Sequence, residues 1–321
     1  MTSLLVNSQA ANSPAVMIEK VYSFTGLCDG SAAVALDHRH FAVADDETNV
    51  VRVYQLDGKT EPISFIDLTE HLDVDPEEPE TDIEGAARIG NKIYWITSHG
   101  RNKNAKRRPS RHRLFATEII AGAVPSLKPP RNFSKSFLED LLKEKRFDSF
   151  PLKTAEKLAP KAEGGFNIEG LAAWNSTQLL VGLRNPVPEG KALLFEVTNP
   201  EAAMEGQKTV FGKAHQLDLD GFGVRDIFQV DDFYLILAGP TDGSSNFRIF
   251  RWDGKQGLKA LSEKQIFEGY NPEAIFQFPG SGPEIFHVVS DDGTVKSGGK
   301  ECKDLEDSEK RFRLLQVRIE H

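Results

Sequence analysis

Cysteine is nearly absent: the 321-residue chain has two, Cys28 and Cys302. That excludes a disulfide framework and any cysteine-built metal centre. No apolar run approaches the ~20 residues a helix needs to span a bilayer, so no membrane association is expected. The opening MTSLLVNSQAANSPAVMIEK has neither a basic start nor a sustained apolar stretch, so a secretory leader is not expected. Positive charge is in deficit, with a formal net charge of −9, which argues against non-specific nucleic-acid binding. No G-x-S-x-G, H-E-x-x-H, P-loop or C-x-x-C pattern occurs, which removes several common enzyme classes and leaves no organic cofactor expected. The expectation is a soluble, cytoplasmic, monomeric protein in which a lasting disulfide is improbable.

What is present is repetition. Five segments open alike: CDGSAAVALDHRHFAVADDE (28–47), TDIEGAARIGNKIYWITSHG (81–100), FNIEGLAAWNSTQLLVGLRN (166–185), FGVRDIFQVDDFYLILAGPT (222–241) and YNPEAIFQFPGSGPEIFHVVSDD (270–292). Each reads as a strand of small residues, a turn rich in Gly, Asn or Asp, and a strand richer in β-branched and aromatic residues. A third strand follows in every segment: NVVRVYQL, RHRLFATEI, KALLFEV, NFRIFRW and RFRLLQVRI. Their alternation of apolar and polar residues marks strands with one solvated face. A fourth, less regular strand is readable in PISFIDL, KAHQLDL and KQIFEG. Four antiparallel strands in every ~45–55 residues are the mark of a β-propeller blade.

The fold class predicted is therefore all-β, a single propeller of five blades, with six as the alternative if the interval 118–165 hides another. The strand EKVYSFTG (19–26) is left over before the first segment, and the last segment lacks a fourth strand. The former should complete the latter and close the ring, because an open blade leaves unpaired edges. Residues 1–18 are expected to be loosely packed and 19–321 to form one domain. A helical insertion is expected at about 123–165, centred on 132–160, where Phe137, Leu138, Leu141 and Leu142 form a helical stripe. It would pack outside the ring or lie over its opening.

In a propeller the first strand of each blade lines the central channel, and its start shares a face with the end of the second strand. The repeat then places Ser31, Glu84, Glu169, Arg225 and Glu273 around one ring. The ends of the second strands bring Asp45, Asp46, Ser98, His99, Arg184, Asn185, Asp291 and Asp292 to the same mouth. Two readings stand side by side. Arg225 and the glutamates pin blades together, or convergent carboxylates hold Ca2+ or another divalent cation, with Glu84, Glu169, Glu273, Asp45 and Asp291 as ligands. Acid–base work by Glu84, Glu169 or Glu273, with His99 as a proton relay, needs the same crowding.

The loop SHGRNKNAKRRPSRHR (98–113) should rise on that face. Either it is a solvated surface loop or it clamps an anion, with Arg101, Lys103 and Arg111 meeting phosphate or carboxylate oxygens beside Arg184, Asn185 and Arg225. The acidic runs EHLDVDPEEPETD (70–82) and LDLDGFG (217–223) resemble incomplete calcium loops and read as solvated.

The stretches DIEGAARIGNKIYWITSHGRNK, RPSRHRLFATEI, FNIEGLA, LLVGLRNP, ALLFEV and GVRDI together resemble the bacterial domain-of-unknown-function family 3616, from about residue 20 to the end. That resemblance implies a propeller and no activity. The repeated Glu-Gly opening is more loosely similar to the esterase-like phytase propellers, which implies metal-assisted phosphoester hydrolysis; Ser31 and Arg225 interrupt the acidic ring. The functional expectation is a polar channel that binds a small anionic or phosphorylated ligand and acts as a metal-assisted ester hydrolase. The alternative is a non-catalytic scaffold that docks a protein partner.

Overall fold

The structure, a computed structural model, describes residues 16–263 and 265–320. Five antiparallel sheets of four-strand depth stand in a ring. Blade 1 is built from Gly30–Ala35, His40–Asp45, Val50–Gln55 and Ser64–Asp67. Blade 2 uses Ile83–Ile89, Lys92–Thr97 and Leu114–Ile120, and its outer place is shared by Ser126–Lys128 and Phe133–Ser134. Blade 3 comprises Asn167–Ala173, Leu179–Asn185, Ala192–Val197 and Phe211–Leu217. Blade 4 comprises Gly223–Val230, Phe233–Gly239, Arg248–Trp252 and Leu258–Ala260. In blade 5, Pro272–Phe276, Ile285–Ser290 and Arg311–Ile319 come from the end of the chain, and the outermost strand is Val16–Thr25. The innermost strands touch in the order of blades 1, 2, 3, 4, 5 and back to 1, so the ring is closed.

The N-terminal strand closes the last blade as expected, pairing from Val16 opposite Ile319 to Thr25 opposite Arg311. Residues 1–15 lie outside the described residues, while Val16, Met17 and Ile18 belong to this strand rather than to a loose segment. The interval 118–165 holds no sixth blade. Its first part supplies the outer strands of blade 2, and the rest forms the helix Phe137–Lys143 and shorter helical turns. Phe137, Leu138, Leu141, Phe147 and Leu152 pack with Phe195 and Phe211 beside blades 2 and 3, so the helical stripe faces the sheets. A second correction concerns KQIFEG: residues 265–269 form turns, and blade 4 is completed by Leu258–Ala260 instead.

The core is five layers, each between two neighbouring blades. Ala32, Val34 and Trp95 fill the layer between blades 1 and 2, and Leu235, Phe286 and Val317 the layer between blades 4 and 5. Each fully buried large side chain contributes roughly 1.5–3 kcal/mol through removal from water. Small residues bring the inner strands together near the axis. A Cβ on Gly85 would sit 2.8 Å from the Glu169 carbonyl oxygen, and one on Gly170 would sit 2.5 Å from Val224 Cγ1.

Candidate functional site

Every innermost strand carries an irregularity at the same place, in all five blades. The pairing skips from Gly30 to Ala32, Ile83 to Gly85, Ile168 to Gly170, Val224 to Asp226 and Pro272 to Ala274. The skipped residues are Ser31, Glu84, Glu169, Arg225 and Glu273. A bulge leaves its extra residue without a partner across the ladder and re-aims its side chain. All five therefore line one cavity of about 650 Å³ at the mouth of the channel. Charged groups leave the sheets here without entering the apolar layers.

The cavity wall is divided by charge. On the side of blades 3 to 5 the acids are paired. Glu169 is 2 % exposed; its Oε1 accepts from Arg184 Nη1 at 2.8 Å and from Asn167 Nδ2 at 2.7 Å, and its Oε2 lies 3.0 Å from Arg225 Nε. Arg225 also pairs with Glu273. Burial, with Arg184 nearby, brings the Arg225 guanidinium down to about 10 despite these carboxylates. The basic loop is engaged in the same manner. Arg111 meets Glu80 at 2.5 Å and Asp82 at 2.8 Å, and Arg101 meets Glu156 at 3.0 Å. These arginines are already neutralised, so a bare anion clamp on Arg101 and Arg111 does not fit; Lys103 and Lys161 remain exposed at the edge.

On the side of blades 1, 2 and 5 the carboxylates face one another. Asp29, Asp46, Glu47, Glu84 and Asp291 line the cavity and have no ion pair among the described residues. Burial raises Glu84 well above the usual carboxylate range, and Glu169 and Asp82 push it further. Burial does the same to Asp46, with Glu84 and Asp82 adding repulsion. Asp29 is pushed up to about 7 by burial and then by Asp291 and Asp45. Glu80 also rises to about 7, because burial and Asp82 outweigh its contact with Arg111.

Of the expected site residues, Glu84, Glu169, Glu273, Arg101, Lys103, Arg111, Arg184, Arg225 and Asp291 share this cavity. Three do not line it. Asp45 turns outward, 3.7 Å from Arg52, into an adjoining recess that shares Asp29 and Glu47 with the cavity and holds Lys303 and Lys310. Asn185 donates to the carbonyls of Pro160 and Ala162 at 2.9 and 2.8 Å, holding the tail of the helical insertion against the mouth. His99 is 2 % exposed, stacked on His112 and edge-on to Phe137; burial brings it down to about 3. A neutral, enclosed imidazole is no relay to the cavity.

Asp29, Glu47, Glu80, Asp82 and Lys161 were missed as wall residues. A signal existed for some of them. Two positions before the bulge residue stand Asp29, Asp82, Asn167 and Asn271 in four blades, and all four line the cavity.

The architecture defines a five-bladed β-propeller with a charged cavity at one end of its channel. Within that class the chain belongs to the family described as "Protein of unknown function (DUF3616)", whose model matches residues 30–119 and 130–283. No curated protein matches it. Among solved structures it is similar to the PQQ-bound aldose sugar dehydrogenase of Streptomyces coelicolor, with 12% identity and a TM-score of 0.46. That alignment covers 96% of this chain and 100% of the other. It is also similar to virginiamycin B lyase of Staphylococcus aureus, with 9% identity, a TM-score of 0.41, and 94% and 99% of the two chains covered. Likenesses this distant carry no argument about activity. The structure joins Cys28 to Cys302, contrary to the expectation of two free thiols. A disulfide fits an oxidising compartment better than the cytoplasm. No helix among the described residues is long and apolar enough to cross a membrane.

Proposed function

We propose that the mouth of the channel binds a small anionic ester through a divalent cation and hydrolyses it, a phosphoester being the preferred class. One observation carries this reading: five carboxylates with no ion pair among the described residues converge on a cavity whose arginines are already paired. Such a wall attracts a cation first, and an anion only through it, with Lys103 and Lys161 meeting the ligand's outer charge. The cation would supply polarisation of the ester oxygen. Glu84 fits the proton acceptor, since it lines the cavity with no cationic partner among the described residues. It takes a proton from water as the water oxygen bonds to the ester phosphorus. The P–O bond to the leaving alcohol breaks, and the departing oxygen takes a proton from solvent.

The test is a panel of phosphoesters and carboxylic esters assayed with Ca2+, Mg2+ or Mn2+ and again with a chelator. Turnover should require the cation and fall ~10²–10⁴-fold in Glu84→Gln. Absence of turnover with every cation, or turnover unchanged in Glu84→Gln, overturns the reading. The competing scaffold reading gains no specific support, because the exposed apolar residues Phe65, Val210 and Val295 lie on separate elements.

A further inference from the structure

Two strands of blade 1 bring three acids together where that blade meets blade 5. Asp29 immediately precedes the innermost strand, and Asp46 and Glu47 immediately follow the second. One oxygen from each of Asp29, Asp46 and Glu47 lies within 4.8 Å of the others. The backbone holds this arrangement, for Asp46 N–H donates to the Asp29 carbonyl at 3.2 Å. Asp29 is further confined on its other sides. Cys28 beside it is bonded to Cys302 and accepts from the Asp292 N–H at 2.9 Å, while a Cβ on Gly293 would fall 1.7 Å from Asp29 Oδ1.

Acidic clusters are common on protein surfaces, so proximity alone carries little. The independent sign is the state of two buried polar atoms on residues that line the cavity. Asp46 Oδ1 exposes no surface and has no hydrogen-bond partner among the described residues. On the opposite wall Asn167 is 3 % exposed, and its Oδ1 is equally without a partner while its Nδ2 is fixed on Glu169. A buried acceptor left unpaired costs about 1–3 kcal/mol, more when charged. The side groups of both residues line the same cavity, and what they lack is a donor or a positive charge.

We propose that Asp29, Asp46 and Glu47 hold one Ca2+ at the junction of blades 1 and 5, open to the cavity. The inference deepens the functional reading above by naming the ion and its ligands. All-oxygen donors, with no His or Cys among them, select a hard cation. Ca2+ is favoured over Mg2+ because it accepts irregular coordination by 6–8 oxygens, leaving places for waters and a ligand anion, whereas Mg2+ demands a near-ideal octahedron. Glu84 and Asp291 face the ion across the cavity, and Asn167 Oδ1 accepts from a hydroxyl or water on the far side. Glu169 and Glu273, expected as metal ligands, keep their arginines.

The test is calorimetric titration of CaCl2 into the chelator-treated, oxidised full chain, alongside thermal melting with and without CaCl2. The expected result is one ion per chain, a higher melting temperature with Ca2+, and binding weakened at least about tenfold by Asp46→Asn and by Gly293→Ala. Glu47→Gln, at an exposed position, provides a variant whose folding is not at risk and should weaken binding in the same direction. No heat and no melting shift with the wild-type chain at millimolar CaCl2 overturns the proposal, as does unchanged affinity in folded Asp46→Asn and Glu47→Gln. Tighter binding of MgCl2 than of CaCl2 overturns the choice of ion. Ca2+ binding without ester turnover leaves this site standing and removes the hydrolase; turnover unaffected by chelation removes the cation-assisted reading, while the titration alone decides this site.

Discussion

Glu84 and Glu169 occupy the same bulge in consecutive blades and have opposite surroundings. Glu169 lies between two arginines, so its loss leaves Arg184 and Arg225 buried with less compensation. Removing one partner of a buried ion network costs about 3–5 kcal/mol, and Glu169→Ala should lower stability by that amount in urea denaturation. Glu84→Gln should do the contrary in the cation-free chain and raise the melting temperature at pH 8, because it removes repulsion against Asp46 and Asp82. The same repulsion sets a pH dependence. Asp29 and Glu80 titrate near 7 when folded, against 3.8 and 4.5 ordinarily. Between those values the folded chain binds more protons than the unfolded one, so stability falls as pH rises. Cation-free protein should therefore melt at a lower temperature at pH 8 than at pH 5, and bound Ca2+ should flatten the decline. A melting temperature that rises across this interval would contradict the predicted direction. The bulge residues were readable in sequence because Glu-Gly recurs. Which glutamates are paired was not, since the arginines arrive from other strands and blades.

At the scale of the strand, the bulge and the small residue after it act together. The bulge turns a charged side chain into the channel, and Gly85 and Gly170 let the next blade's inner strand approach where any Cβ would collide. Gly170→Ala places a methyl against Val224 and Ile227 and should destabilise by about 1–3 kcal/mol through overpacking. A chemical melt measures it, and retention of full stability would show that the blades have slack. The third strands were legible because one face is solvated and the alternation is regular: Arg311–Ile319 alternates along most of its length between buried and more exposed positions. The outer strands of blades 1, 3 and 5 were also read, as PISFIDL, KAHQLDL and the N-terminal clasp, but those of blades 2 and 4 were not. Leu258–Ala260 and Phe133–Ser134 span only three and two residues, too short for a period to register. The neighbouring stretch 265–269, with Ile266 and Phe267 side by side, was therefore mistaken for the outer strand of blade 4.

For the whole molecule the question is how a ring made from one linear chain stays shut. Two devices join its ends at blade 5: the strand Val16–Thr25 paired along Arg311–Ile319, and the Cys28–Cys302 bond, spanning 274 residues of sequence. The strand was foreseen from an unpaired repeat. The bond was set aside on grounds of compartment, although the closed ring already made the two cysteines neighbours. The devices act on different states. Strand pairing exists only in the folded ring, whereas a disulfide persists in the unfolded chain and lowers its conformational entropy, so one does not make the other redundant. With so long a loop the bond should contribute toward the top of the usual range, about 4–5 kcal/mol. The paired substitution Cys28→Ser with Cys302→Ser should lower the denaturation midpoint by a corresponding amount. It should also steepen the denaturant dependence, because the freed unfolded chain exposes more surface. If the unreduced wild-type chain unfolds with the same midpoint and slope as the variant, the bond is absent from the protein, and the clasp strand alone closes the ring.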